Sequence, residues 1–133
     1  MTIQSHRDLK VWQQAMDLAE GVYRLTSMFP PSEAFSLNRQ LRRAAVCVPS
    51  NIAEGYGRGS RRSYIQFLKT ARGSLLEFET QVMLAVRVKL LDPESADQSL
   101  QSIDSISRML SAMIRTLEQQ SLQPKPAASA IAY

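Results

Sequence analysis

LRRAAVCVPSNIAEGYGRGSRR, residues 41–62, combines an apolar helical face, an internal proline, three spaced glycines and a run of arginines. Leu41, Ala44, Ala45, Val48 and Ile52 recur at helical spacing, while Arg39, Arg42 and Arg43 fall on the other side of the same turns. One face packs and the other carries charge. Pro49 removes a backbone donor and crowds the carbonyl four residues earlier, so a helix passing through it is expected to kink near Ala45 to Cys47. A continuous kinked helix is the expectation. Two short helices are the alternative, the second started by Asn51 with Glu54 as its capping-box partner. Gly55, Gly57 and Gly59 then end the helix, each able to take positive φ where the chain turns.

Outward from this stretch, the pattern predicts three more helices. The first runs from Asp8 to about Met28, capped by Ser5 or Asp8, with Leu9, Trp12, Ala15, Met16, Ala19, Val22 and Tyr23 as its packing stripe. Phe29, Pro30, Pro31 and Ser32 make the stop, turn and next cap, and the second helix starts near Glu33. The third opens on the capping-box pair Ser63 and Gln66, with Ser60 as an earlier start. Tyr64, Leu68, Ala71, Leu75, Phe78, Val82 and Ala85 then form an unbroken heptad seam. Phe67, Leu76, Val86 and Val88 lie off that seam and offer a second apolar contact. Asp92 caps the fourth helix and Pro93 opens it; Leu100, Ile103, Ile106, Leu110, Met113 and Leu117 carry its face to about Gln120. No strand-like alternation or internal repeat is present. The expected fold is all-α, an antiparallel up-down four-helix bundle with short connections and a Pro-kinked second helix, over residues 1–122. Residues 123–133, with two prolines and no period, are expected to be a disordered tail or to lie on a neighbour.

The chain's 133 residues are one domain's worth, and 44% hydrophobic content suffices for a core without disulfide or metal. A single cysteine, no signal-peptide pattern and no apolar run long enough to span a bilayer lead to the expectation of a cytoplasmic protein away from membranes. Net charge is +4, unevenly spread: residues 39–72 carry +7 and the rest of the chain −3. Such asymmetry favours a polyanionic partner over a merely solubilising face.

Catalytic chemistry is hard to assemble from these residues. His6 is the only histidine and precedes the first helix, Cys47 sits in an apolar segment with the character of a buried thiol, and Glu77 and Glu79 are two residues apart on one helix. GYGRGS lacks the strand and lysine of a phosphate-binding loop. The expectation is no enzyme activity, no cofactor and no metal site. Tyr56 and Tyr64 flank the arginine-rich loop; Tyr64 belongs to the core seam, which leaves Tyr56 as the candidate for base stacking.

The run QLRRAAVCVPSNIAEGYGRGSRRSYIQFL, with DLKVWQQAMDLAEGVYRL before it and ARGSLLEFETQV after it, closely resembles a bacterial four-helix-bundle family. That family was first noticed as reading frames within intervening sequences of 23S ribosomal RNA genes. A more distant similarity is to the accessory protein of diversity-generating retroelements. The resemblance covers roughly residues 8–120 and rests on the pattern RRAAxxxPSNIAEGxGR. It implies a bundle that assembles as a homopentameric ring, with a nucleic-acid-binding role and no known catalysis.

Two readings of function follow. In the first, Arg39, Arg42, Arg43, Arg58, Arg61, Arg62, Lys69 and Arg72 form a surface that holds phosphate backbones, with RNA ahead of DNA on the strength of the resemblance alone. In the second, the oligomeric bundle is a scaffold whose basic face docks an acidic protein; separately, the resemblance brings in a reverse transcriptase as a candidate protein partner.

Overall fold

The computed structural model describes residues 2–33 and 36–120, and the expected tail lies outside them. Four helices dominate: α1 (Lys10–Thr26), α2 (Leu37–Gly57), α3 (Arg61–Arg87) and α4 (Pro93–Gln120), with no strand among the described residues. Each helix packs against its neighbours in sequence, and α4 closes the ring by packing on α1. This is a four-helix bundle.

Ser5 does cap, but what it caps is a single 3₁₀ turn at His6–Asp8, where Asp8 completes the capping box; α1 itself starts at Lys10. A second short turn, Pro31–Glu33, precedes α2, which therefore begins at Leu37 rather than near Glu33. Ser60 is the cap of α3, its hydroxyl accepting from the Ser63 amide at 3.1 Å, so the earlier of the two expected starts is used. Asp92 Oδ1 accepts from the Ser95 amide at 2.8 Å and Pro93 is the first residue of α4.

Helix α2 is continuous through Pro49. Asn51 and Glu54 do not restart it: the Asn51 amide donates to the Cys47 carbonyl at 2.7 Å and Glu54 pairs with Arg58. An unbroken helix has no free amide there for a cap to satisfy. Of the three glycines only Gly59 takes positive φ, at 78°; Gly55 and Gly57 are helical. Gly55 has a different task. A Cβ added to it would lie 2.7 Å from Phe67 Cβ and 3.2 Å from the Tyr64 ring, so its bare backbone is what lets α2 and α3 come together.

All seven seam residues of α3 are buried, as are Leu41, Ala44, Ala45, Val48 and Ile52 of α2. On α4 the expected face is buried apart from half-buried Leu100, and Ala96 and Ile114 join it. Helix α1 departs most. Val11 and Leu18 are buried, Trp12 is half-buried, and Met16 and Tyr23 stand open to solvent. The stripe turned because α1 must face both α2 and α4, and Val11 and Leu18 extend the buried face beyond the stripe read from spacing. Met16 and Tyr23 are left on the outer rim of the α1–α2 contact, in a shallow groove with Trp12, Val46, Pro49 and Ala53.

Candidate nucleic-acid interface

The start of α2 is built with charge where a helix ordinarily discourages it. Its first turn contains no acidic residue, Ser36 makes no side-chain cap bond, and Arg39 lies in that turn, beside the positive end of the helix dipole. One turn on stand Arg42 and Arg43. These three, with Tyr23, Asn38, Val46 and Cys47, line a hollow of about 480 Å³ between the end of α1 and the start of α2. Thr26 organises it. The Arg42 Nε donates to Thr26 Oγ1 at 2.8 Å, the Asn38 amide nitrogen donates to the Thr26 carbonyl at 3.3 Å, and Thr26 in turn donates to the Val22 carbonyl at 2.7 Å. Arg42 also lies over the Tyr23 ring, 4.6 Å from its centroid. It is thereby held in place, whereas Arg39 and Arg43 are exposed and make no hydrogen bond or ion pair among the described residues.

The corner between α2 and α3 uses its arginines differently. Arg58 pairs with Glu54 at 2.9 Å and lies over the Phe67 ring at 5.1 Å. Arg61 is half-buried and donates to the Gln120 carbonyl at 3.0 Å, joining the start of α3 to the last residue of α4. Arg62 alone at this corner is exposed and without a partner among the described residues. Further along α3, Lys69 pairs with Glu118 at 3.3 Å and half-buried Arg72 donates to Ser111 Oγ at 3.4 Å, both reaching across to α4. The eight basic residues thus fall into separate groups. Arg43 and Arg58 are fifteen residues apart on one helix, about 22 Å along its axis.

Tyr56 is half-buried and meets Tyr64 edge to face, with ring centroids 6.1 Å apart and planes at 88°. Both rings line a second hollow of about 300 Å³ with Gly55, Gly59, Ser60, Arg61 and Leu117. Tyr64 behaves as the seam predicts: it is buried, its hydroxyl has no hydrogen-bond partner among the described residues, and burial pushes its ionisation well above the ordinary tyrosine range.

Three residues of the first hollow were not singled out for it by sequence. Tyr23 was read as core because its spacing matches a packing stripe, and Asn38 and Thr26 are polar residues with no motif around them. The signal for Tyr23 was available in principle, since Val11 and Leu18 offer α1 a competing stripe. Cys47, expected to be buried, is half-buried at the hollow's edge. The His6 ring packs edge-on against Trp12 with centroids 5.1 Å apart. Among the described residues no three His, Cys, Asp or Glu side chains gather as metal ligands would. Nor, among them, is any helix long and apolar enough to cross a membrane.

Comparison with known proteins bears on this arrangement in two ways. The model of the family described as 23S rRNA-intervening sequence protein matches residues 7–112. Among solved structures, the fold is similar to that of a protein of unknown function from the S23 ribosomal protein family of Bacteroides thetaiotaomicron. The TM-score is 0.75 and the identity 21%, over 80% of this chain and 99% of that one. At that identity the likeness speaks for the fold. No curated protein matches this chain.

Proposed function

The chain belongs to the 23S rRNA-intervening sequence protein family, and from that premise we propose that it is a non-catalytic, oligomeric nucleic-acid-binding bundle that prefers RNA and works in the cytoplasm. The observation that carries the reading is the set of arginines with nothing to hold. Arg39, Arg43 and Arg62 are exposed and without a protein partner among the described residues, inside a segment with one acid against eight basic residues. An exposed guanidinium offers a planar, bidentate fork to a phosphate and keeps its charge at any physiological pH.

Assembly multiplies those contacts. Leu76, Met83 and Leu84 of α3 and Val88 just beyond its end are exposed, and burying such apolar surface against another copy would be favourable at about 25 cal/mol per Å². In a ring, a few weak phosphate contacts per subunit act together through effective concentration. Arg42, Arg58, Arg61, Lys69 and Arg72 have prior engagements within the bundle, and their part is to set the geometry of the free ones and add to the local field.

The test is direct binding of labelled structured RNA, single-stranded RNA and duplex DNA at two salt concentrations, with an acidic protein as competitor. The expected outcome is binding that weakens with salt, with a log-log slope of about 0.7 to 0.9 per phosphate neutralised. RNA should displace the acidic protein and not the reverse. Absence of binding at low salt would overturn the reading and favour the protein-docking scaffold.

A further inference from the structure

The hollow at the start of α2 contains a feature that charge alone does not explain. Asn38 is 9% exposed, and its Oδ1 is buried and accepts no hydrogen bond among the described residues. Its orientation is fixed by chemistry: the Thr26 carbonyl can only accept, so the group facing it at 3.3 Å must be the Asn38 nitrogen. Oδ1 is therefore an acceptor without a donor, at the wall of a hollow lined also by three guanidiniums, Tyr23 and Cys47, with no carboxylate among the described residues that line it. A buried acceptor left unpaired is destabilising, so a donor brought to it is favoured. An anion on its own satisfies the arginines but has no hydrogen to give.

A ligand that carries a negative charge with a hydroxyl or N–H beside it satisfies both, leaving the guanidinium N–H groups to the anion. We propose that this hollow seats one ribonucleotide unit of an RNA backbone. Its phosphate is held by Arg39 and Arg43, the two exposed guanidiniums of the hollow, and its 2′-hydroxyl donates to Asn38 Oδ1. The 2′-hydroxyl accompanies every phosphate of RNA and none of DNA, whereas base donors vary with sequence. Oδ1 is shielded in the free chain, so seating the ribose requires the side chains around Asn38 to shift and uncover it. The proposal rests on the nucleic-acid reading and deepens it: Asn38 makes the site selective for ribose.

One single-stranded sequence, made as RNA, as 2′-O-methyl RNA and as DNA, tests it against the full chain. The methylated strand keeps the phosphates and loses the donor. RNA is expected to bind about 3- to 10-fold more tightly than either of the others, the range of one net hydrogen bond. Asn38→Ala should bring RNA down to the level of 2′-O-methyl RNA and leave DNA affinity unchanged. Should that variant fail to fold, Arg39→Ala with Arg43→Ala, both exposed, replaces it: all three ligands weaken and the preference for RNA shrinks. Equal affinity of the unaltered chain for the three strands overturns the ribose site while leaving nucleic-acid binding in place. Binding of none at low salt overturns both.

Discussion

At the corner between α2 and α3, Arg58 is paired with Glu54 and Arg61 is tied to the Gln120 carbonyl, while about 22 Å away along α2 Arg43 extends into solvent with no partner among the described residues. The corner has needs of its own. The end of α2 and the start of α3 meet there, and Arg61 ties them to α4 by donating to the Gln120 carbonyl. The start of α2 presents the opposite need, since a positive helix end crowded with arginine gains by recruiting negative charge from outside. A run of arginines in sequence therefore contains two populations, one that closes the fold and one that is left for a ligand.

Substitutions can sharpen that division, beginning with the largest effect. Gly55→Ala forces a methyl to within 2.7 Å of Phe67 Cβ and should cost about 1–3 kcal/mol by thermal denaturation. Gly57→Ala, with open space around it, should be neutral or slightly stabilising. A tolerated Gly55→Ala would mean that the corner is looser than its contacts imply. Arg61→Ala should lose about 1–2 kcal/mol, because the hydrogen bond to the Gln120 carbonyl that ties α3 to α4 is lost. Arg43→Ala should leave stability within about 0.5 kcal/mol, as for other surface positions. Equal losses from the two would erase the distinction. Gly59→Ala, in open space but at φ 78°, should cost about 1 kcal/mol from backbone strain alone.

The smallest effect is acid sensitivity at the two caps. Backbone amide hydrogen bonds, from Gln4 and Ser5 to Asp8 and from Ser95 to Asp92, hold both carboxyls below the ordinary aspartate range. A lowered folded-state value means a contribution present above the unfolded value of 3.8 and lost as the pH falls through the lower folded one. Asp92→Asn keeps the cap's acceptor and should flatten the acid limb of a stability-against-pH curve slightly. A steeper limb would contradict the assignment.

Most of the fold was legible because periodicity is a direct consequence of burial. The heptad seam of α3 has one solution, and all seven of its residues are buried. Helix α1 was less legible because two overlapping stripes compete, and only the position of α4 decides that Leu18 packs while Met16 and Tyr23 do not. The glycines were read as turn formers on conformational freedom, which holds for Gly59; Gly55 serves close approach, a requirement set by Phe67 on another helix. The basic residues were identifiable as a group, but their division was not. Whether an arginine is spare depends on partners such as Gln120 and Ser111, separated from Arg61 and Arg72 by 59 and 39 residues.

The central claim is that the unpartnered arginines bind and the partnered ones build. Its most direct test is the RNA affinity of the variant Arg39→Ala, Arg43→Ala, Arg62→Ala across a salt series, measured beside its thermal midpoint and its assembly state. The account predicts an unchanged midpoint, unchanged assembly, and a log-log salt slope lowered by roughly 0.7 to 0.9 for each arginine that contacted a phosphate. A variant that binds RNA with the unaltered slope, or one that loses its fold along with its binding, would contradict it.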